Sequence, residues 1–135
     1  MREETIELIA SYYAAFNRGD SQAMAALLAK DVVHDVNQGP REVGRHDFAR
    51  FMLRMNRCYA EQVRDLVVMA NEDGSRAAAE FIVDGTYLAT DEGLPEARGQ
   101  TYSLPGGAFF EVEHDRITRV TNYYNLEDWL AQVKG

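Results

Sequence analysis

Apolar residues recur at helical spacing in the first part of the chain and at strand spacing in the second. Ile9, Tyr13 and Phe16 repeat every three or four residues, which predicts a half-buried helix. Gly19 can adopt the left-handed conformation that closes such a helix, and Asp20 is a suitable cap for a second, shorter helix. The pattern therefore predicts two helices that meet at a tight corner.

The next segments predict one strand and a third helix. Residues 31–37 alternate so that both faces mix apolar and polar side chains, as expected for a strand beside a cavity. After the turn-forming Gly39-Pro40, a helix carries Phe48, Phe51 and Met55 on one face. We expect this apolar face to pack onto a sheet.

From residue 63 onward the apolar period changes to two and predicts four more strands and a closing helix. They are expected near residues 64–70, 76–88, 100–113 and 116–124, with the helix at 126–133. Leu-Pro-Gly-Gly at 104–107 predicts a break in its strand, through a bulge, a bend or a close approach to the backbone. The order predicts an α+β fold: helix, helix, strand, helix, four antiparallel strands and a C-terminal helix, around a strongly bent sheet that encloses a pocket.

Length and charge narrow the classes of ligand. The 135 residues suit a single domain spanning 1–135, and the net charge of −8 argues against nucleic acid or an anionic membrane as a partner. The chain has neither a long apolar span nor a secretory pattern at its start, so we expect a cytoplasmic location.

Cys58 is the single cysteine and the three histidines lie on different predicted elements, so no metal site is expected. No cofactor is expected either, because the glycines form no nucleotide-binding pattern.

Three stretches of the sequence resemble a known family. Residues 12–20 (YYAAFNRGD) and 27–31 (LLAKD) resemble the opening of ketosteroid isomerase, and 117–132 resemble the ending of SnoaL-type polyketide cyclases. The chain is thus identified as a member of the nuclear transport factor 2-like superfamily. The resemblance implies a cone-shaped α+β barrel, a small and largely apolar ligand, and a homodimer formed through the outer face of the sheet. It also implies proton transfer on a carbonyl compound, of the isomerase, lyase or cyclase type.

Ketosteroid isomerases use a carboxylate base, with a tyrosine and a protonated carboxylic acid that hydrogen-bond the enolate. Counted from the shared Asn-x-Gly-Asp, the tyrosine falls on Tyr12 and the base on Val36, with Asp35 one residue earlier. The acid falls on Gly107, which has no side chain to donate a hydrogen bond. The resemblance therefore supplies one of the three groups directly and leaves the substrate unnamed.

His34 and Asp35 are the candidate proton-transfer residues beside Tyr12. His34 shares a face of the predicted strand with Val32 and Val36, and an imidazole titrates near neutral pH. The alternative for His34 is a core histidine bonded to a backbone carbonyl. Asp35 turns inward only if the strand bulges, and an apolar wall would then raise its pKa; otherwise it is a surface carboxylate.

Aromatic and apolar side chains are expected to line the pocket. The seven tyrosines include rings suited to a ring-shaped ligand with a few polar groups. An amide at Asn122 can orient a carbonyl or a water, or it can tie strands together. The predicted ligand-binding residues are Phe16, Val36, Phe51, Met55, Tyr87, Tyr102, Asn122 and Tyr124. Whether the chain is an enzyme stays open, the alternative being a non-catalytic ligand-binding or dimerisation module of the same fold.

Overall fold

The computed structural model describes residues 1–36 and 38–134. The elements in these residues are α1 (Arg2–Asn17), α2 (Ser21–Ala26), β1 (Leu28–Asp35), β2 (Glu42–Val43), α3 (Arg45–Cys58), β3 (Tyr59–Ala70), β4 (Arg76–Tyr87), β5 (Thr101–Glu113), β6 (Arg116–Tyr124) and α4 (Leu126–Lys134). This is the predicted succession with one addition, the two-residue strand β2. Asn37, the last residue of the predicted first strand, lies outside the described residues. None of the described helices is long and apolar enough to cross a membrane.

The strands form one sheet in the order β2-β1-β6-β5-β4-β3. The four consecutive strands β3 to β6 pair antiparallel, as predicted. Strand β1 lies parallel to β6, so residues from the beginning and the end of the chain meet in the sheet. The edge strands β2 and β3 do not pair with each other, and the sheet is therefore curled but open.

Register shifts in β1, β3 and β6 accompany the bending of this sheet. Each shift places unequal numbers of residues opposite one another, which increases the local twist and bends the strand. In β3 the shift contains Asp65, whose φ of 55° is uncommon for a residue other than glycine. The fold is the α+β cone that the sequence predicts.

Two clusters of buried side chains join the helices to the concave side of the sheet. The larger cluster packs α1, α2 and α3 against the strands and includes Ile9, Phe48 and Phe110, with exposed fractions of 0%, 1% and 0%. The smaller cluster lies under α4 and centres on Tyr87 and Trp129. Full burial of side chains of this size contributes about 1.5–3 kcal/mol each. The helices therefore cover the concave side, while none of the described helices covers the convex side.

The predicted helix ends are confirmed by their capping contacts. Gly19 has a φ of 71°, and the Asp20 side chain accepts a hydrogen bond from the Ala23 N–H at 3.0 Å. At α4 the Asn125 side chain accepts from the Asp128 N–H at 3.1 Å. Each cap satisfies a backbone donor that the first helical turn leaves unpaired.

Of the alternatives predicted at residues 104–107, the bulge and the bend are wrong. Strand β5 pairs with β4 through this segment without a register shift. Pro105 lies one residue beyond the end of β6, where Tyr124 pairs with Gly106, so its missing N–H interrupts no β5–β6 pair. The close approach that the sequence offered as an alternative is present: a Cβ on Gly106 would lie 2.8 Å from the Phe81 ring.

Asn17, the last residue of α1, covers the exposed edge of β3. Its side chain accepts from the Val63 N–H at 2.8 Å and donates to the Val63 carbonyl at 2.9 Å. The Gln62 side chain donates to the Asn17 carbonyl at 2.8 Å. An edge strand carries unpaired N–H and C=O groups, and this amide pairs with both as a neighbouring strand would. Asn17 therefore fastens α1 to β3.

We predict that Asn17→Ala lowers the free energy of unfolding by about 1–3 kcal/mol, because it leaves the Val63 N–H and C=O without these partners. Chemical denaturation of the wild type and the variant measures the difference. Asn56→Ala is the matched control, since its side chain makes one exposed hydrogen bond, to Ser21 at 2.9 Å, and its loss is expected to cost less than about 1 kcal/mol. Equal losses in the two variants would contradict the role given to Asn17.

Candidate functional site

Strand β1 places His34 and Asp35 on opposite faces of the sheet. His34 is 2% exposed and shares the concave side with Val32, which is 0% exposed. Asp35 lies on the convex side, where it accepts hydrogen bonds from Arg41 at 2.7 and 3.0 Å and from Thr121 at 2.9 Å. The register shift in β1 precedes both residues and does not turn Asp35 inward.

The expectation that Asp35 joins the candidate catalytic residues is therefore corrected. The hydrogen bond from Arg41, assisted by that from Thr121, holds the pKa of Asp35 below its ordinary value despite some desolvation. A carboxylate stabilised in this way is a weak base. It is also separated by the sheet from Tyr12 and His34, which lie on the concave side.

His34 lies between two aromatic rings of α3 and one amide of β6. Its ring centroid is 5.1 Å from that of Phe48 and 4.7 Å from that of Phe51, both edge to face. The Asn122 Nδ2 atom lies 3.4 Å from His34 Nε2. An amide N–H donates, so with the amide in this orientation Nε2 accepts and the imidazole proton is on Nδ1. The Nδ1 atom is buried and has no hydrogen-bond partner among the described residues.

Burial changes the chemistry expected of this histidine. Desolvation lowers the pKa of His34 from 6.5 to about 4, although the nearby Asp35 charge opposes the change. The imidazole is therefore neutral at pH 7 and is a weak base. With its proton on Nδ1, it is instead a hydrogen-bond donor inside an apolar surrounding.

Tyr12 and Tyr13 bring two phenols of α1 into the same interior. The Tyr12 ring is 6.5 Å from Phe48, which also contacts His34, and 5.9 Å from Phe110. Burial raises the pKa of Tyr12 and that of Tyr13, so both remain neutral donors. The Tyr13 Oη atom is buried without a partner in the described part of the chain.

Glu61 is a further polar group on the concave side, which the sequence analysis did not single out. It alternates with Tyr59 and Val63, each of which packs with one of the two buried clusters. Tyr102 Oη donates a hydrogen bond to Glu61 Oε2 at 2.5 Å. The tyrosine reaches across β4 at Gly85, which pairs with Glu61 on one side and Tyr102 on the other. A Cβ on Gly85 would collide with the Tyr102 ring, so glycine permits this contact.

The electrostatic surroundings of Glu61 extend to Tyr124, which also feels the charges of Asp91 and Arg54. Burial raises the pKa of Glu61, and the hydrogen bond from Tyr102 lowers it in part. Burial also raises the pKa of Tyr124, followed by the charges of Glu61 and Asp91, whereas Arg54 lowers it. Tyr124 is 37% exposed and thus lies between the interior and solvent, within the fields of these groups.

Asp91 connects the loop after β4 to the helix and strands beside it. It is 6% exposed, accepts a hydrogen bond from Tyr59 Oη at 2.7 Å and pairs with Arg54 at 3.5 Å. Its N–H donates to Tyr87 Oη at 3.0 Å, and Tyr87 donates in turn to the Pro95 carbonyl at 2.7 Å. Tyr87, predicted to bind ligand, therefore uses its hydroxyl to hold this loop.

The other predicted ligand-binding residues divide into two groups. Those that lie on the concave side around His34 or Glu61 are Phe51, Tyr102, Asn122 and Tyr124. Those that are half-buried on α1, on α3 or just after β1 are Phe16, Met55 and Val36. The aligned position of the family's acid, Gly107, lies in the row of the exposed Phe109 on the convex side. Across residues 1–36 and 38–134, no three histidine, cysteine, aspartate or glutamate side chains gather as a metal site.

Sequence reasoning missed Glu61 and Asp91 for different reasons. The predicted strand began near residue 64, whereas β3 begins at Tyr59. The alternation of Tyr59, Glu61 and Val63 is the signal that would have placed the carboxyl inside. Asp91 lies in a polar loop, and no periodic pattern marks it as buried.

The comparisons with known proteins agree with this fold. The SnoaL-like domain family matches residues 9–120 of the chain. A candidate polyketide cyclase from Pseudomonas putida KT2440 is 63% identical, with 96% of this chain and 97% of that one covered and a TM-score of 0.94. Another candidate polyketide cyclase, from Xanthomonas campestris pv. campestris, is 62% identical, with 98% of each chain covered and a TM-score of 0.95.

A more distant solved structure carries a different description. A candidate ketosteroid isomerase from Kribbella flavida DSM 17836 is 30% identical, with 92% of this chain and 79% of that one covered and a TM-score of 0.66. No curated protein matches the chain significantly.

We predict that His34 makes the free energy of unfolding depend on pH between about 6.5 and 4. The folded protein holds the imidazole neutral, while the unfolded chain protonates it below pH 6.5, so stability falls as the pH drops toward about 4 and then levels. A pKa lowered from 6.5 to about 4 corresponds to roughly 3 kcal/mol.

Urea denaturation at several pH values measures this dependence. His34→Leu is expected to flatten the curve in that window, and His46→Leu, at a side chain that is 89% exposed, is the matched control. If His34→Leu and the wild type lose stability in parallel, the buried neutral state of His34 is wrong.

Proposed function

The chain belongs to the SnoaL-like domain family, and we propose that it binds a small, largely apolar carbonyl compound inside the cone and transfers a proton on it. Relatives described as polyketide cyclases and a ketosteroid isomerase support a small-molecule ligand. The observation that carries the proposal is His34 Nδ1, which is buried without a partner among the described residues.

A bound carbonyl compound would supply the acceptor that His34 lacks. A buried donor left without a hydrogen bond costs about 1–3 kcal/mol, and a carbonyl oxygen would remove that penalty. The Phe48 and Phe51 rings beside the imidazole offer apolar contact to the rest of the ligand. A ligand with one carbonyl group on an otherwise apolar ring therefore suits these neighbours.

In the proposed reaction, the neutral state of His34 makes it an electrophilic group rather than a base. Its pKa of about 4 keeps it uncharged at pH 7, so Nδ1–H can stabilise the negative charge that develops on a carbonyl oxygen. Asn122 maintains the required tautomer through Nε2. Tyr12, whose burial raises its pKa, is a second neutral donor from α1.

We also propose that the chain forms a homodimer through the convex face of the sheet. Four apolar side chains on that face are each about half exposed, at 51–52%, and lie on the two sides of β4: Val67 and Met69 on β3, Phe109 on β5 and Tyr123 on β6. The Phe109 and Tyr123 rings contact edge to face at 5.7 Å. An exposed apolar patch of this kind is typical of an interaction surface, and a second copy offers the same patch through a two-fold axis.

The ligand proposal predicts saturable binding of an apolar ketone that depends on His34. The panel is 2-tetralone, 2-indanone and a 5-ene-3-ketosteroid, each labelled with ¹³C at the carbonyl and titrated by NMR. A hydrogen bond from Nδ1 moves the carbonyl resonance downfield, and its loss in His34→Leu is expected to weaken binding roughly three- to tenfold. His46→Leu is the matched control and is expected to bind as the wild type does.

Two results would count against the ligand proposal. If no member of the panel binds the wild type saturably, a small carbonyl ligand in the cone is wrong. If binding is equal in the wild type and His34→Leu, His34 is not the donor. Binding without any chemical change of the ketone would favour the alternative, a non-catalytic ligand-binding domain.

The dimer proposal predicts a sedimenting species of twice the 15.3 kDa chain mass at micromolar concentration. Phe109→Glu places a charge in the apolar patch and is expected to give the monomer. Leu53→Glu is the control, because Leu53 is 70% exposed on α3, away from the sheet. A wild-type species near 15.3 kDa would rule the homodimer out.

A further inference from the structure

Glu61 has no basic partner in the described part of the chain, unlike Asp35 and Asp91. Asp35 is paired with Arg41 and Asp91 with Arg54. In the described part of the chain Glu61 has neither an arginine nor a lysine within ion-pair distance, and its hydrogen-bond donor is Tyr102 Oη. A carboxyl on the concave side without a compensating cation is expensive to retain for structure alone.

The contact with Tyr102 leaves Glu61 oriented but not saturated. Tyr102 Oη binds Oε2, and an ionised carboxyl has a second oxygen with its own lone pairs. The tyrosine is 5% exposed and crosses β4 where Gly85 leaves room for its ring. Three strands therefore cooperate to hold one carboxyl in one orientation.

The inner row of β6 connects Glu61 with the His34 end of the interior. Asn122 and Tyr124 lie two residues apart in this row, about 6.6 Å along the strand. Asn122 contacts His34, and the charge of Glu61 contributes to the raised pKa of Tyr124. A ligand that lies along this row would meet His34 at one end and Glu61 at the other.

We propose that Glu61 is the catalytic base that removes a proton from the carbon next to the ligand's carbonyl group, and that Tyr102 is the residue that positions it. This inference rests on the proposed function and adds to it the proton acceptor that neither Asp35 nor Val36 provides. The substrate class is an enolisable ketone whose carbonyl oxygen faces His34 Nδ1.

The proton transfer is balanced without any co-reactant. The α-carbon C–H bond breaks and its proton moves to a carboxylate oxygen of Glu61. The electron pair of that bond becomes the carbon–carbon double bond of the enolate, and the carbonyl oxygen takes the negative charge opposite His34 Nδ1–H. Return of the proton from Glu61 to a carbon of the enolate regenerates the carboxylate.

Hydrogen–deuterium exchange at the α-carbon tests this step without knowledge of the natural substrate. Each of 2-tetralone, 2-indanone and the 5-ene-3-ketosteroid is incubated in D₂O with protein, and ¹H NMR follows the loss of the α-proton signal. The exchange rate is compared with the rate in buffer alone. Glu61→Gln keeps an oxygen that can accept from Tyr102, so it is expected to bind the ketones as the wild type does. Its exchange rate is expected to fall by at least about 100-fold. Glu72→Gln, at an exposed turn, is the matched control and is expected to exchange at the wild-type rate.

The outcomes separate this inference from the function on which it rests. Ketone binding by both proteins, with exchange in the wild type and none in Glu61→Gln, supports Glu61 as the base. If both proteins bind and exchange at equal rates, or if the wild type binds but does not exchange above the buffer rate, Glu61 is not the base. The proposed binding function then stands. Absence of binding by the wild type overturns the proposed function and this inference together.

The pH profile of exchange separates positioning by Tyr102 from a purely structural role. The rate is expected to rise with pH as Glu61 ionises, with a midpoint above the ordinary glutamate value of about 4.3, because burial raises its pKa. The titratable and charged groups around it are Tyr59, Tyr102, Tyr124, Asp91 and Arg54. Tyr102→Phe removes a hydrogen bond that lowers the pKa of Glu61, so the midpoint moves to higher pH. A lower rate with an unmoved midpoint would contradict the positioning role.

Discussion

The alternation of side chains across a bent sheet is the constraint on which the arrangement of this protein depends. Neighbouring residues of a strand face opposite sides, and here one side is covered by helices while the other is not. A single step along β1 therefore separates a desolvated imidazole from an ion-paired carboxylate. The pKa values of His34 and Asp35 both fall, the first because burial disfavours the charged form and the second because Arg41 favours it.

Glycines in the central strands let large side chains occupy the concave side. Gly85 makes room for the Tyr102 ring, and Gly106 makes room for Phe81. Side chains at these positions would displace the rings that shape the interior. Gly85 and Gly106 thus determine where the Tyr102 and Phe81 rings lie. As a consequence, the Tyr102 hydroxyl reaches Glu61.

Polar side chains tie the helices and the loop after β4 to the sheet. Asn17 pairs with the free edge of β3 near Glu61, and Asp91 joins α3 and the loop to Tyr59. Both contacts use groups that would otherwise be unsatisfied or solvated, so they fix the elements around Glu61 at modest cost. Glu61 lies between Tyr59 and Val63, and its surroundings depend on both contacts.

Periodicity and capping residues by themselves determined the succession of elements and the helix ends, because these depend on neighbours a few residues apart, while the cone followed from the family resemblance. The sequence also placed Tyr12, His34 and Asn122 among the candidates. Only the tertiary structure decided that Asp35 faces outward and that β3 begins at Tyr59, because register shifts and strand starts follow from pairing between distant strands. The His34–Asn122 contact joins residues 88 apart, and the Glu61–Tyr102 bond joins residues 41 apart. Local patterns carry no information about such separations.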